Sequence, residues 1–207
     1  LSTGQAGEAA TITADQIIIA AGARPRIPSW AEGVSYHTND DIMRLPEQPE
    51  SLTIVGGGFI AMEFAHVFEA LGTDVTIVSR SPFLRTLDAT IGEQFNDIAQ
   101  KRFNVKRGSV VSAREVSGGI ELVLDDDSVV TSQHLLIATG RIPNGDLLDA
   151  PTGGVELDPS GRVQVDEYGR TTADGVWALG DVSSPYQLKH VANAEARAVG
   201  TNVISAF

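Results

Sequence analysis

The strongest rhythm of apolar and polar positions lies in the first half of the chain. Residues 52–56 predict a short apolar strand, residues 58–71 a helix that stops at Gly72, and residues 74–79 (DVTIVS) a second strand. Residues 88–102 predict another helix, with Ile91, Phe95 and Ile98 at spacings of four and three. Three β-prone segments follow at 108–115, 119–125 and 128–131, joined by Gly118-Gly119 and Asp125-Asp126-Asp127, the pattern of an antiparallel meander. Residues 134–138 then read as a buried strand.

Nearer the start, residues 10–20 predict a strand ending at Ala21-Gly22, and the proline- and glycine-containing stretch 23–36 reads as a loop. Thr38 or Asn39 is placed to cap a short helix running to Leu45 and stopped by Pro46. Residues 154–181 carry short strands and turns, and 189–205 close as a helix. One pattern occurs twice: TADQIIIAAGARP (13–25) parallels TSQHLLIATGRIP (131–143). Each copy runs from a polar lead-in through an apolar strand to small residues, arginine and proline. The pair reads either as a chance likeness of two buried strands or as two points where the chain leaves one sheet for another domain, bracketing a block that contains the glycine-rich stretch.

That stretch is TIVGGGFIAMEFA (53–65), which fits G-x-G-x-x-A at Gly56, Gly58 and Ala61, with Gly57, Phe59 and Ile60 between. On its own the motif is weak; between a strand and a helix, inside a βαβ unit, it points to dinucleotide binding. Gly56 permits the tight turn, Gly58 lets a pyrophosphate approach the backbone, and Ala61 lets helix and strand pack closely. The free N–H groups at the helix start bind the diphosphate. The end of the second strand sets the nucleotide, because an NAD site usually places Asp or Glu there for the ribose 2′-OH. This chain has Ser79, followed by Arg80 and Arg85, which suits the 2′-phosphate of NADPH.

Composition narrows the remaining options. Fifteen Lys and Arg against 27 Asp and Glu give a net charge of −12, which argues against a nucleic-acid partner. No apolar run approaches the ~20 residues of a membrane span, residues 1–10 do not resemble a signal peptide, and a cytoplasmic location is the expectation. No cluster of metal-ligating residues stands out, so no metal is expected. The 207 residues contain no cysteine, which excludes thiolate chemistry within this chain.

The motifs IIIAAGARP, GGGFIAMEFA, LLIATGRIPN and TTADGVWALGDVSS, in this order, resemble the flavoprotein disulfide reductases (pyridine nucleotide-disulfide oxidoreductases) over nearly the whole chain. The ending SSPYQLKHVANAEARAVGTNVI narrows the resemblance to one small-disulfide reductase within that family. The resemblance implies an α/β architecture: a Rossmann-like NAD(P)-binding domain with a parallel sheet and an antiparallel meander, inserted into an FAD-binding domain. The expected division is 1–35 (FAD, partial), 36–152 (NAD(P)) and 153–207 (FAD, partial).

It further implies NADP(H) and FAD as cofactors and a small-molecule disulfide as the parent's substrate. Gly180 and Asp181 would meet the ribityl chain, and Leu188, Lys189 and His190 the flavin at the start of the last helix. Gly140 and Arg141 would lie near the cofactors. Glu63 is expected as a buried acid facing the nicotinamide, and Phe59 as either a gate over that pocket or core packing. Several parts of the family pattern are absent: the FAD-binding glycine fingerprint, the redox-active cysteine pair with its lysine, and the C-terminal interface domain with its His-Glu pair. The chain therefore reads as a fragment, inactive alone, of a parent expected to dimerise through that domain. A dihydrolipoamide dehydrogenase-like or NADH oxidase-like flavoprotein, and a non-catalytic nucleotide-binding module, are the alternatives.

Overall fold

The computed structural model describes residues 12–85 and 88–205. Its strands are β1 (Ile17–Ile19), β2 (Ala23–Pro25), β3 (Ser51–Val55), β4 (Asp74–Ser79), β5 (Asn104–Arg107), β6 (Val110–Val116), β7 (Gly119–Leu124), β8 (Val129–Ser132), β9 (His134–Ile137), β10 (Arg141–Pro143) and β11 (Val176–Ala178). The α-helices are α1 (Phe59–Ala70), α2 (Ala89–Arg102) and α3 (Lys189–Ser205). They form two compact units, one being Pro25–Arg141 and the other combining Leu1–Arg24 with Ile142–Phe207.

The Pro25–Arg141 unit is built on a parallel sheet of order β5-β4-β3-β9. In β3, four successive residues, Leu52 to Val55, are buried. Such a run, without alternation, is what a parallel strand covered on both faces requires. On one face, Leu52, Ile54 and Ile77 pack with Ala61, Met62 and Phe68 of α1 and Ala99 of α2. On the other, Val55, Val78 and Ile137 pack with Ile120, Leu122 and Val130 of the antiparallel meander β6-β7-β8.

Helix α1 ends at Ala70 with Leu71 as its C-cap, and Gly72 follows at φ +95°, a conformation that favours glycine. Helix α2 starts at the Asp88 carboxylate, which accepts from the backbone N–H groups of Thr90 (3.0 Å) and Ile91 (3.3 Å). It ends with Lys101 and Arg102 in its last turn, where cations oppose the helix dipole.

Three expectations need correction. Strand β5 had no sequence counterpart, because Asn104, Lys106 and Arg107 are exposed and only Val105 is half-buried. The expected helix through Leu45 is a single 3-10 turn, Ile42–Arg44. Asp41 turns its carboxylate back onto the Thr38 N–H (2.7 Å) instead of leaving Thr38 to cap a helix. The chain changes unit after Arg24 and again after Arg141. The reason is packing: Trp30, Ala31 and Val34 join the meander-side core, while Ala150 and Val155 belong to the core of the other unit. Of the strand expected over 10–20, residues 10 and 11 lie outside the described residues, and only Ile17–Ile19 is strand.

The second unit pairs β1 with β11 in parallel and packs Ile19 and Ala21 against Ala150, Val155, Val163, Ala178 and Val182. Two turns in it share one design. Asp158 and Asp166 each accept from the backbone N–H groups two and four residues on, ahead of an arginine that pairs with the same carboxylate. The two copies of the sequence repeat end in β2 and β10, which pair as a two-stranded sheet, and the chain changes unit inside both strands.

Candidate dinucleotide site

Between β3 and α1 stand three glycines with three different surroundings. A Cβ on Gly56 would lie 2.2 Å from the carbonyl oxygen of Ala138, and the residue sits at φ +147°. Its N–H donates to the Val78 carbonyl at 2.9 Å, so the neighbouring strands enclose it. A Cβ on Gly57 would lie 2.5 Å from Ser79 Oγ. Around Gly58 there is no atom within 4 Å of where a Cβ would be, and the residue is exposed. The protein therefore fills the space beside two glycines and leaves it open beside the third.

Gly58 is also the N-cap of α1, with no capping side chain and no acid in the first helical turn. The first N–H groups of a helix without such caps are donors available to an anion. Ala61 is fully buried, which allows the close helix–strand packing the motif implies. Ile60 is half-buried, and Phe59 is 43% exposed, outside the core of this unit.

At the end of β4, Ser79 is buried and its hydroxyl donates to the Ser81 carbonyl at 2.9 Å. Arg80 and Arg85 are both exposed. The loop they occupy is tied to the glycine turn, because Leu84 N–H donates to the Gly57 carbonyl at 2.8 Å while Leu84 holds φ +52°. Sequence reasoning missed Arg107, the residue aligned with Ser79 on the neighbouring strand. Its guanidinium lies 4.4 Å above the Phe83 ring, and burial lowers its pKa from the ordinary arginine value. A cleft of about 530 Å³ runs between this loop and α2, lined in part by Phe83, Arg85, Asn96 and Arg107.

Glu63 departs from expectation, because it is exposed rather than buried. Helix α1 buries Ala61, Met62, Ala65 and Phe68, and Glu63 falls on the opposite side with His66 and Val67. It therefore needs no buried counter-ion within this unit.

Gly140 is exposed at φ +129°, and its carbonyl accepts from Arg26 N–H at 2.9 Å. Arg141 donates to Asn39 Oδ1 at 3.2 Å. Elsewhere in the same unit His37 Nδ1 lies 2.7 Å from Asp41 Oδ2, and His37 Nε2 lies 3.0 Å from His134 Nδ1. Burial, and secondarily the neighbouring His37, lowers the pKa of His134. Among the described residues no group of three or more His, Cys, Asp or Glu is arranged to hold a metal.

In the second unit Gly180 is buried at φ +73°. A Cβ there would touch Ala192 Cβ at 3.5 Å, and the Gly180 N–H is taken by Glu195 Oε2 at 2.7 Å. Gly180 thus has a packing reason of its own, against α3. Asp181 follows it in a 3-10 turn, half-buried, and Leu188, Lys189 and His190 are exposed where α3 begins.

A parallel sheet with a glycine turn at a helix N-terminus and a meander on its far face defines a Rossmann-like nucleotide-binding protein. The chain belongs to the pyridine nucleotide-disulphide oxidoreductase family, which it matches over residues 1–198. It is 54% identical over 196 residues to mycothione reductase of Mycobacterium tuberculosis, covering 93% of this chain and 42% of that protein. It is 36% identical over 197 residues to glutathione reductase of Burkholderia cepacia, covering 94% and 44%. Among solved structures, the Cu(II) complex of the HOCl-induced flavoprotein disulfide reductase RclA from Escherichia coli superposes with a TM-score of 0.83 at 27% identity. That match covers 92% of this chain and 44% of that one. The chain spans less than half the length of the curated relatives it matches. No helix among the described residues is long and apolar enough to cross a membrane.

Proposed function

We propose that this chain is the NADPH-binding block, with part of the FAD-binding domain, of a flavoprotein that reduces a small disulfide of the mycothione type. One observation carries the nucleotide reading: Gly58 opens onto empty space at an uncapped helix start, and the adjoining strand ends in Ser79 and Arg80 rather than an acid. The open space fits a diphosphate, and the α1 N–H groups would bind it. Arg80 and Arg85 would meet the ribose 2′-phosphate. In the second unit, Asp181 and the first turn of α3 would hold the flavin's ribityl chain and ring edge.

The two cofactors supply the hydride and electron chemistry. This chain's part is to orient them, and its lack of cysteine leaves the disulfide exchange to residues outside it. The identity to mycothione reductase supports the small-disulfide assignment and, with Ser79 and Arg80, favours NADPH over NADH.

Titration calorimetry with NADPH and NADH tests the reading. The chain is expected to prefer NADPH about tenfold. Arg80→Ala should remove about 1 kcal/mol of NADPH binding, as for an exposed charge pair, and leave NADH nearly unchanged. An equal loss for both nucleotides would mean that Arg80 does not read the 2′-phosphate.

A further inference from the structure

The two arginines assigned to the 2′-phosphate stand on an exposed loop, and a flexible loop discriminates poorly because ordering it opposes binding. The structure shows what orders this one. Asn96 on α2 is buried and brackets Phe83: its Oδ1 accepts from Phe83 N–H at 2.8 Å and its Nδ2 donates to the Phe83 carbonyl at 3.1 Å. Arg107 supplies the second hold. Its Nη1 donates to the Ser81 carbonyl at 2.5 Å, its Nη2 to Asn96 Oδ1 at 3.3 Å, and its guanidinium plane covers Phe83. Phe83 itself is only 1% exposed.

One residue further on, Leu84 donates to the Gly57 carbonyl, so the same loop is anchored at the glycine turn. Arg107 thus holds the segment between the two candidate phosphate-reading residues, using two of its N–H donors and one face of its guanidinium.

We infer that Arg107 is a positioning residue for nucleotide specificity. It fixes the 80–85 loop so that Arg80 and Arg85 present their guanidinium groups to the 2′-phosphate. The inference rests on the NADPH assignment above. Its chemistry is that of a planar, forked donor that bonds a backbone carbonyl and stacks on a ring at once, which lysine cannot reproduce.

The test is calorimetry on the 207-residue chain with NADPH and NADH, comparing unsubstituted protein, Arg107→Gln and Arg107→Lys. Both variants are expected to weaken NADPH about tenfold, with NADH changed less than about twofold. Arg107→Lys keeps the charge and the aliphatic stem, so it remains informative if the glutamine variant does not fold. An NADPH preference intact in Arg107→Lys would show that charge alone suffices and would overturn the positioning role. Equal loss of both nucleotides in Arg107→Lys would make Arg107 a support of the fold and would also overturn it. If the unsubstituted chain shows no NADPH preference, the NADPH assignment has failed, a result distinct from either of these.

Discussion

Gly58→Ala separates binding from folding. The added methyl has no neighbour within 4 Å, and Gly58 sits at φ −85° and ψ −178°, a conformation alanine adopts freely. At a helix N-cap alanine is worse than glycine by about 0.5–1 kcal/mol. Against this, the narrower unfolded ensemble of alanine returns about 0.4–1 kcal/mol. The two nearly cancel, so the thermal midpoint should move by no more than about 3 °C.

The nucleotide should respond quite differently. If the diphosphate approaches the backbone at Gly58, the methyl stands in its place, and NADPH and NADH should both weaken at least about tenfold. Gly56→Ala provides the contrast. Its Cβ would lie 2.2 Å from a backbone oxygen that cannot swing aside, at φ +147°, and should cost more than about 2 kcal/mol of stability. Differential scanning fluorimetry and calorimetry on both variants decide the matter. Unchanged nucleotide affinity in a folded Gly58→Ala protein would refute the placement of the diphosphate.

Other expectations follow from single contacts. Because the folded-state pKa of His134 lies below its ordinary value, the unfolded chain takes up a proton first as pH falls. Stability should therefore decline as pH drops from about 7 to about 5, while Asp41, whose pKa is lowered from an already acidic value, stays ionised throughout. Melting curves of His134→Gln across that window should be flatter, and identical slopes would remove His134 as the cause. Asp88→Ala should cost about 1 kcal/mol by uncapping α2, measurable by urea denaturation with an unchanged m-value. The chain should lose FAD on dialysis, since its one glycine turn of the dinucleotide type is Gly56–Ala61, and a stoichiometric yellow protein would contradict that.

The elements legible from sequence are those whose apolar pattern reflects burial directly. β3, β4, α1 and β7 carry both the core and its periodicity, so their limits fall close to those expected. α2 forms where expected although Ile91 and Ile98 of its apolar pattern are exposed and Asn96 and Ala99 are the residues it buries. β5 was not legible because it is an edge strand whose side chains meet mostly solvent, leaving a polar tetrapeptide with no alternation. Arg107 was lost with it, since its role depends on lying beside Ser79 across a strand pairing that the sequence does not announce. Glu63 was misjudged as buried, although the helical spacing of Ala61, Met62, Ala65 and Phe68 already puts it on the other side. The stretch 23–36, with its three prolines, reads as a loop from sequence. Whether Trp30 and Ala31 are loop or core is decided by the meander they pack on, far away in sequence.

The paired strands β2 and β10 bear on how such a protein is assembled over evolutionary time. Arg26 N–H donates to the Gly140 carbonyl at 2.9 Å, so the entry and exit of the Pro25–Arg141 block are hydrogen-bonded neighbours. The host is closed off in the same way, with Asn144 N–H on the Gly22 carbonyl at 3.0 Å and Arg24 forked onto Asp146. A block whose ends meet behaves as one long loop in its host, and lengthening a loop adds closure entropy only logarithmically. The Pro25–Arg141 block is therefore an insertion whose length the host tolerates at little entropic cost, because its two ends leave the host side by side.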